Sequence, residues 1–359
     1  MSKKIGLLVD SLSSGGAEKV AANMSIALSN MGYNITIVAM TNFIDYNFKG
    51  ELYNFGLVKK KHSKLTAFFI LKRYFKENKF DYIIDHRTRT VFLKELLLSK
   101  YILKKCSIIY CIHSYNLLLS FSFLKIPWLA IFPHVKKKRF VSVSEEICKK
   151  LKQKLKLEST VIYNYASFQN LKNENKIIDN LNTPFIIGVG RLTKIKQFDV
   201  LIKSYNNSRL KNKGIKLLIL GEGIEKDNLN KLIKDLNLTD FVELLGFKNK
   251  VYSYIEKAKA LVLTSKVEGF PMVLIEALTL NTPIVAFNCK SGPNEIIKNG
   301  VNGLLVENQN EQQLTLALNK LLLNKEYYNT IKSNTSCGLD KFSEKHIIQQ
   351  WIHIFNTQE

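Results

Sequence analysis

The amino-acid sequence predicts an α/β protein made of two doubly wound domains, and three observations carry that expectation. At 359 residues the chain exceeds the size at which a single hydrophobic core usually keeps growing. Short apolar runs followed by turns and amphipathic helices recur in both halves, the pattern of parallel βαβ units. A polar stretch rich in Asn and Lys separates the two series.

The first series opens with Ile5–Val9 as a buried strand, Gly15–Gly16 as a turn, and Ala17–Asn30 as a helix with Val20, Met24, Ala27 and Leu28 at helical spacing. Gly32 stops that helix and Ile35–Ala39 returns as a strand, a βαβ unit of about 35 residues. Tyr82–Ile84, Ser107–Ile112, Phe140–Val143 and Val161–Tyr163 continue as short apolar strands. Residues 168–183, ending at Thr183 before Pro184, read as a linker. Residues 1–167 then form the first domain and 184–335 the second, with 336–359 as a C-terminal helical segment that could pack back across the junction.

The second series runs strand Phe185–Val189, helix Phe198–Tyr205, strand Lys216–Leu220, helix Glu225–Leu236 and strand Phe241–Leu244. It goes on through helix Val251–Lys257, strand Ala260–Leu263, helix Pro271–Leu280 and strands Pro283–Ala286 and Gly303–Val306, before helices Glu311–Leu323 and His346–Asn356. Two such domains are expected to face each other across a cleft.

The net charge of +23 is uneven: residues 1–180 hold 30 basic and 13 acidic side chains, a net +17, against +6 for the remainder. An anionic membrane surface, nucleic acid or a phosphate-bearing substrate would each suit it, as would a set of plainly solvated lysines. The N-terminus resembles neither a signal peptide nor a membrane span, so a cytoplasmic location is expected. The five cysteines are an odd, dispersed set without CxxC or metal spacing, and read as reduced packing residues.

The stretch TSKVEGFPMVLIEAL places Glu268 and Glu276 around a helix start. Pro271 suits the first helical turn, where its missing N–H is no loss, so Glu268 and Gly269 fall in the preceding loop and Glu276 about a turn and a half inside. That is the carboxyl edge of a parallel strand, where ligands of open α/β sheets bind. The helix dipole and the N–H groups of Phe270 and Met272 favour an anion such as a diphosphate, while the carboxylates suit sugar or ribose hydroxyls. On spacing alone, a loop acid and a solvated helix acid explain the pair equally well. Arg191 and Lys196 in GVGRLTKIKQ, and Gly221, Glu222 and Gly223 in LGEG, follow successive strands on the same expected edge, and Gly15 and Gly16 in SSGGAEK follow the first strand of the other domain.

Taken together and in this order, SSGGAEK, GVGRLTKIKQ, LGEG, LLGF, VEGFPMVLIEAL and SGPNEIIKNGVNGLLV resemble the GT-B glycosyltransferases, in particular retaining glycosyltransferase family four. The resemblance covers most of the chain and is strongest over residues 183–306. It implies a donor site in which Glu276 holds ribose hydroxyls. Glu268, with the backbone of Gly269, Phe270, Pro271 and Met272, would hold the transferred sugar. It also implies that Arg191 and Lys196 balance the leaving diphosphate, assisted by Gly15 and Gly16, with Gly221, Glu222, Gly223 and Phe247 around the nucleotide. His113 stands where the family has a histidine near the sugar's C6 hydroxyl, although a satisfied buried imidazole is the ordinary reading of such a residue. Asn164 in VIYNYAS matches a junction segment of the family, but Tyr165 and Ala166 replace its usual Pro or Gly-Val.

The implied enzyme is a retaining hexosyl- or N-acetylhexosaminyltransferase using a nucleotide-diphosphate sugar, with UDP preferred. Donors aimed at the leaving group would be its main catalytic device. No cofactor or metal is expected, consistent with the lack of a DxD triplet. A glycosidase would need its carboxylates about 5 to 9 Å apart, whereas eight helical residues already span about 12 Å.

For the acceptor, Arg87 and Arg89 in HRTRT could meet a phosphate, and a plain basic loop explains them equally well. The segments 57–80 and 117–140, with Trp128 and a following KKKR, suit an anionic interface at the inner face of the cytoplasmic membrane and a lipid-linked glycan. A core role for those aromatics is the competing reading. The alternatives are a nucleotide-sugar epimerase of the same fold or a basic nucleic-acid module, the latter without any RRM, KH, zinc or helix-turn-helix signature, so nucleic acid is not an expected partner.

Overall fold

The computed structural model describes residues 3–13, 15–104, 106–121, 139–167, 183–248 and 250–357. The expected linker, apart from Thr183, lies outside the described residues, as does Trp128. The chain divides into two compact units, Met1–Tyr165 with Glu344–Glu359, and Ala166–Ser343.

The first unit holds a parallel seven-stranded sheet in the order β3-β2-β1-β4-β5-β6-β7. Its strands are β1 (Lys4–Val9), β2 (Asn34–Ala39), β3 (Glu51–Asn54), β4 (Tyr82–Asp85), β5 (Ser107–Ile112), β6 (Arg139–Ser142) and β7 (Thr160–Val161). Helices α1 (Gly16–Asn30), α2 (Phe55–Lys61), α3 (Lys64–Asn78), α4 (Phe92–Leu97) and α5 (Glu145–Leu155) connect them. The central strands are continuous apolar runs because both of their faces are covered, and Ile5, Leu7, Ile35 and Ile37 are fully enclosed in register with one another. Met31 and Gly32, the latter at φ 88°, turn the chain after α1, and the Tyr33 N–H returns to the Leu28 carbonyl.

Two features depart from the sequence expectation, and a third segment, 57–80, has a structure that the sequence left open. The short edge strand β3 is half-exposed and lacks an apolar run, which is why periodicity misses it. The segment 57–80 is largely helical, as α2 and α3. The strand expected over Val161–Tyr163 is only the two-residue β7, and the chain leaves the sheet before Ile162.

The last helix of the chain belongs to this first unit. Ile347, Ile348, Trp351, Ile354 and Phe355 of Glu344–Asn356 are buried in its core, each worth about 1.5–3 kcal/mol of apolar burial. The helix's orphan terminal carbonyls are met by side chains from the sheet. Arg139 Nη1 donates to the Ile354 carbonyl at 2.7 Å, and Tyr82 Oη and Lys3 Nζ donate to that of Phe355, the former at 2.9 Å.

The second unit repeats the plan with a parallel six-stranded sheet, β10-β9-β8-β11-β12-β13. The strands are β8 (Phe185–Val189), β9 (Lys216–Leu220), β10 (Val242–Gly246), β11 (Ala260–Leu263), β12 (Ile284–Phe287) and β13 (Leu304–Val306). Its helices are α6 (Phe198–Asn207), α7 (Lys226–Asp235), α8 (Val251–Lys257), α9 (Met272–Thr279), α10 (Pro293–Ile296), α11 (Glu311–Leu323) and α12 (Lys325–Ser333). Numbering its strands from β8, the order is 3-2-1-4-5-6, with the direction of winding reversing between β8 and β11. That reversal opens a crevice at the carboxyl ends of those two strands.

Candidate active site

The loops that leave β8 and β11 meet at this reversal. The Lys266 N–H donates to the Ile195 carbonyl at 2.8 Å, and Thr264 Oγ1 donates to the Lys196 carbonyl at 2.9 Å. The side chains follow the backbone: Lys196 Nζ lies 2.6 Å from Glu268 Oε1 in an ion pair whose partners are 23% and 13% exposed. The Glu268 peptide is held on both sides by the chain after β12, its N–H donating to the Lys290 carbonyl at 2.5 Å and its carbonyl accepting from the Ser291 N–H at 3.1 Å. Ser291 Oγ then donates to the Gly269 carbonyl at 2.6 Å. Arg191 is exposed on the same β8 loop.

Pro271 is the residue preceding α9 rather than its first helical residue. It still caps a helix whose first-turn N–H groups and positive dipole end lie beside Glu268. Phe270 and Met272 are buried, the former against Phe342 at 5.5 Å between ring centroids, so only their backbone can serve a ligand. Glu276, one turn into α9, is 7% exposed and accepts a 3.0 Å hydrogen bond from Tyr252 Oη at Oε1. Tyr252 comes from α8, and no spacing in the sequence links it to Glu276.

Farther along the edge, Phe247 is 66% exposed after β10, a ring face open to stacking. Glu222 is paired with Lys226 at 3.2 Å. Gly221 and Gly223, expected around the nucleotide, are glycines that the chain itself requires. A Cβ on Gly221, at φ 141°, would lie 1.9 Å from the Gly190 carbonyl oxygen, and one on Gly223 would lie 2.3 Å from that of Leu192. Both glycines allow backbone to cross backbone.

In the first unit, Gly15 precedes α1 and Gly16 begins it; a Cβ on Gly16 would meet nothing within 4 Å. Arg87 and Arg89 do not form the exposed acceptor-facing loop expected of them. They are 2% and 1% exposed. Arg87 pairs with Asp85 at 2.9 Å and Glu95 at 3.0 Å, while Arg89 donates to the carbonyls of Ser120, Asp85 and Cys111. With their donors committed to internal acceptors, both guanidiniums hold the fold. Burial alone would raise the Asp85 carboxyl, but the charges of Arg87 and Arg89 and the hydrogen bonds from Arg87 hold it at about 2.

His113 follows β5, and its Nε2 lies 2.9 Å from Nδ1 of His86, the residue after β4. The outer nitrogens, His113 Nδ1 and His86 Nε2, are enclosed and have no protein partner. Burial lowers both imidazoles, His86 to about 4, with Arg89 adding to the effect and Asp85 opposing it. Cys111 brings its sulfur within 4.8 Å of this pair, and burial pushes its thiol well up. Asn164 lines a cavity beside these groups, of about 10 Å³, the room of one water molecule.

Two parallel doubly wound units, with a cation, two carboxylates and a helix N-terminus gathered at the second switch point, have the architecture of the GT-B class. HepE from Anabaena, solved with UDP-glucose, superposes with a TM-score of 0.75 at 18% identity, over 99% of this chain and all of that one. TarM superposes with a TM-score of 0.79 at 18% identity, over 99% of each chain. The family descriptions "Glycosyltransferase Family 4" and "Glycosyl transferases group 1" match residues 14–166 and 169–336. The amylovoran biosynthesis glycosyltransferase AmsD of Erwinia amylovora is 29% identical, over 98% of this chain and 99% of that protein. A Campylobacter jejuni N-acetylgalactosaminyltransferase, whose name specifies a diphospho-undecaprenol-linked acceptor, is 30% identical over 92% and 94%. The chain belongs to glycosyltransferase family four and is a glycosyltransferase.

Proposed function

We propose that the protein transfers a hexose or N-acetylhexosamine from a nucleotide-diphosphate sugar, with UDP as the nucleotide, to a lipid-linked glycan in cell-surface polysaccharide assembly, retaining the anomeric configuration. The observation that carries this reading is the meeting of Lys196, Glu268 and the N-terminus of α9 at the second switch point. Arg191 and Lys196 would neutralise the leaving diphosphate, so that charge developing on it meets fixed cations and no metal is required. Glu268 would accept hydrogen bonds from the transferred sugar, Glu276 would hold the ribose with its orientation kept by Tyr252, and Phe247 would cover the base. The acceptor hydroxyl would attack from the face the diphosphate leaves. HepE, solved with UDP-glucose, supports the choice of UDP, and the name of the Campylobacter relative supports a lipid-linked acceptor.

The first unit supports attachment to an anionic membrane surface. Leu65, Phe69, Lys72 and Lys76 recur along one exposed face of α3, with exposed Leu57, Lys60 and Lys61 on α2. Apolar side chains among lysines suit an interface of acyl chains and anionic headgroups. No helix among the described residues is long and apolar enough to cross a membrane.

Thermal stabilisation by a panel of UDP, GDP and ADP sugars tests the donor reading. A donor at 100 times its dissociation constant adds about 2.7 kcal/mol. One nucleotide series should stabilise the wild type and lose its effect in Glu276→Ala; no response at millimolar concentrations in folded protein sinks the assignment. Sugar transfer to a diphospho-lipid acceptor, with the new anomeric centre read by NMR, tests retention.

A further inference from the structure

Lys196 and Glu268 bind each other, and they are also the two side chains that a nucleotide sugar would engage. We propose that Glu268 makes the donor site discriminate against free nucleoside diphosphate, and so favours departure of the spent donor, by holding the ammonium that the terminal phosphate must share. This rests on the donor reading above.

The backbones of both partners are anchored. The Lys196 carbonyl is fixed by Thr264 Oγ1, and the neighbouring Ile195 carbonyl by the Lys266 N–H. The lysine stem runs over Gly190, where a Cβ would lie 3.2 Å from Lys196 Cε. Glu268 is fixed through its own peptide by Lys290 and Ser291. A diphosphate that comes to Lys196 therefore comes to Glu268 as well.

An ammonium has three donors and can touch a carboxylate and a phosphate together. The two anionic oxygens then stand about two hydrogen-bond lengths apart, and like charges at that range repel. If the lysine instead turns wholly to the phosphate, a carboxylate only 13% exposed loses its cation. The free nucleoside diphosphate suffers most from either outcome. Its terminal phosphate carries close to two negative charges at neutral pH, since the second pKa of a phosphate monoester is about 6. In a nucleotide sugar the same phosphate is esterified and carries one. The sugar also brings hydroxyl donors, which give Glu268 a replacement for the ammonium. The carboxylate that recognises the sugar is thus the group that penalises its absence, a repulsive element as well as an attractive one.

Calorimetric titration of wild type, Glu268→Gln and Lys196→Met with UDP and GDP, and with the UDP- or GDP-sugar that stabilises the wild type, tests this. Glu268→Gln should bind the free diphosphate about tenfold more tightly than wild type, while its preference for the nucleotide sugar over the diphosphate shrinks by at least that factor. Lys196→Met should bind both more weakly. A Glu268→Gln protein that binds the free diphosphate no more tightly than wild type overturns the proposal while leaving the donor reading intact. A wild type that binds neither class overturns the donor reading itself. Should Glu268→Gln misfold, Glu268→Ala provides the same comparison.

Discussion

The two sheets share one winding plan and use its switch point in opposite ways. Between β8 and β11 the charges remain accessible: Arg191 is exposed, and Lys196 and Glu268 are partly so. Next to the switch-point strand β4 of the first unit, Asp85, Arg87, Arg89 and Glu95 are sealed in and satisfy one another. Identical topology creates a crevice in both, but only accessible charge can exchange its partner for a ligand. Charge whose partners are all internal is part of the fold.

The sharpest break between the regions is an arginine removed from each. Arg87→Ala leaves Glu95 buried without its guanidinium and Asp85 with Arg89 at 3.5 Å in place of the pair, which should cost about 3–5 kcal/mol of stability, read as a lower urea midpoint. Arg191→Ala removes an exposed side chain and should leave that midpoint unchanged. Its cost should fall on transfer, a loss of about 10²–10³ in kcat, by analogy with deleting one preorganised donor to a developing charge. If Arg191→Ala unfolds the protein, or Arg87→Ala leaves it as stable as wild type, the contrast fails.

Acid should also act through the first region. Asp85 is held at about 2 against a usual 3.8, and His86 at about 4 against 6.5. Both groups bind protons less readily in the folded state than in the unfolded chain, so their contribution is complete above about pH 6.5 and is lost as the pH falls. His86 and His113 both contribute to the loss below 6.5, His86 down to about 4, and Asp85 accounts for that between 3.8 and 2. For His86 and for Asp85 the loss should amount to about 2–4 kcal/mol each. The groups facing the His86–His113 pair include Asp85, Arg89, Cys111 and Tyr165, while α1 and the C-terminal helix offer it Val20, Met24, Ile347 and Trp351. Urea midpoints measured from pH 7 to pH 4 should fall in wild type and fall less in His86→Gln; parallel curves would remove His86 from the account.

The same contrast explains what could be read from the sequence. The strands of the second unit are legible because each is an apolar run ended by a glycine or polar turn, and the E-x₇-E spacing about Pro271 marks the start of α9. Arg87 and Arg89 are misread because a basic loop after a strand looks alike whether exposed or buried. The correcting signal lies nearby, in Asp85 two residues before Arg87 and Glu95 eight after it, but only the fold turns both carboxylates onto one guanidinium. LGEG is ambiguous in a different way: glycine after a strand shows that something approaches closely, and the chain itself approaches both glycines. Side chains joined across elements leave no local pattern, as with Tyr252 and Glu276 or His86 and His113.

That last kind of contact gives the smallest and most selective test. Tyr252 Oη donates to Glu276 at 3.0 Å within a buried region, so the tyrosine fixes the carboxylate without needing to touch nucleotide. Tyr252→Phe removes one hydroxyl and keeps the ring, at a cost in stability of about 1 kcal/mol. Glu276 would then reach the ribose with less defined orientation, and nucleotide-sugar affinity should fall by about threefold to tenfold, since 1.4 kcal/mol corresponds to tenfold. A ligand lacking ribose hydroxyls separates orientation from general loosening. The 2′,3′-dideoxy nucleotide should bind wild type and Tyr252→Phe equally, because it leaves Glu276 no hydroxyl to hold. Equal weakening of both ligands would instead make Tyr252 a packing residue of α8 and leave the placement of Glu276 to α9 alone.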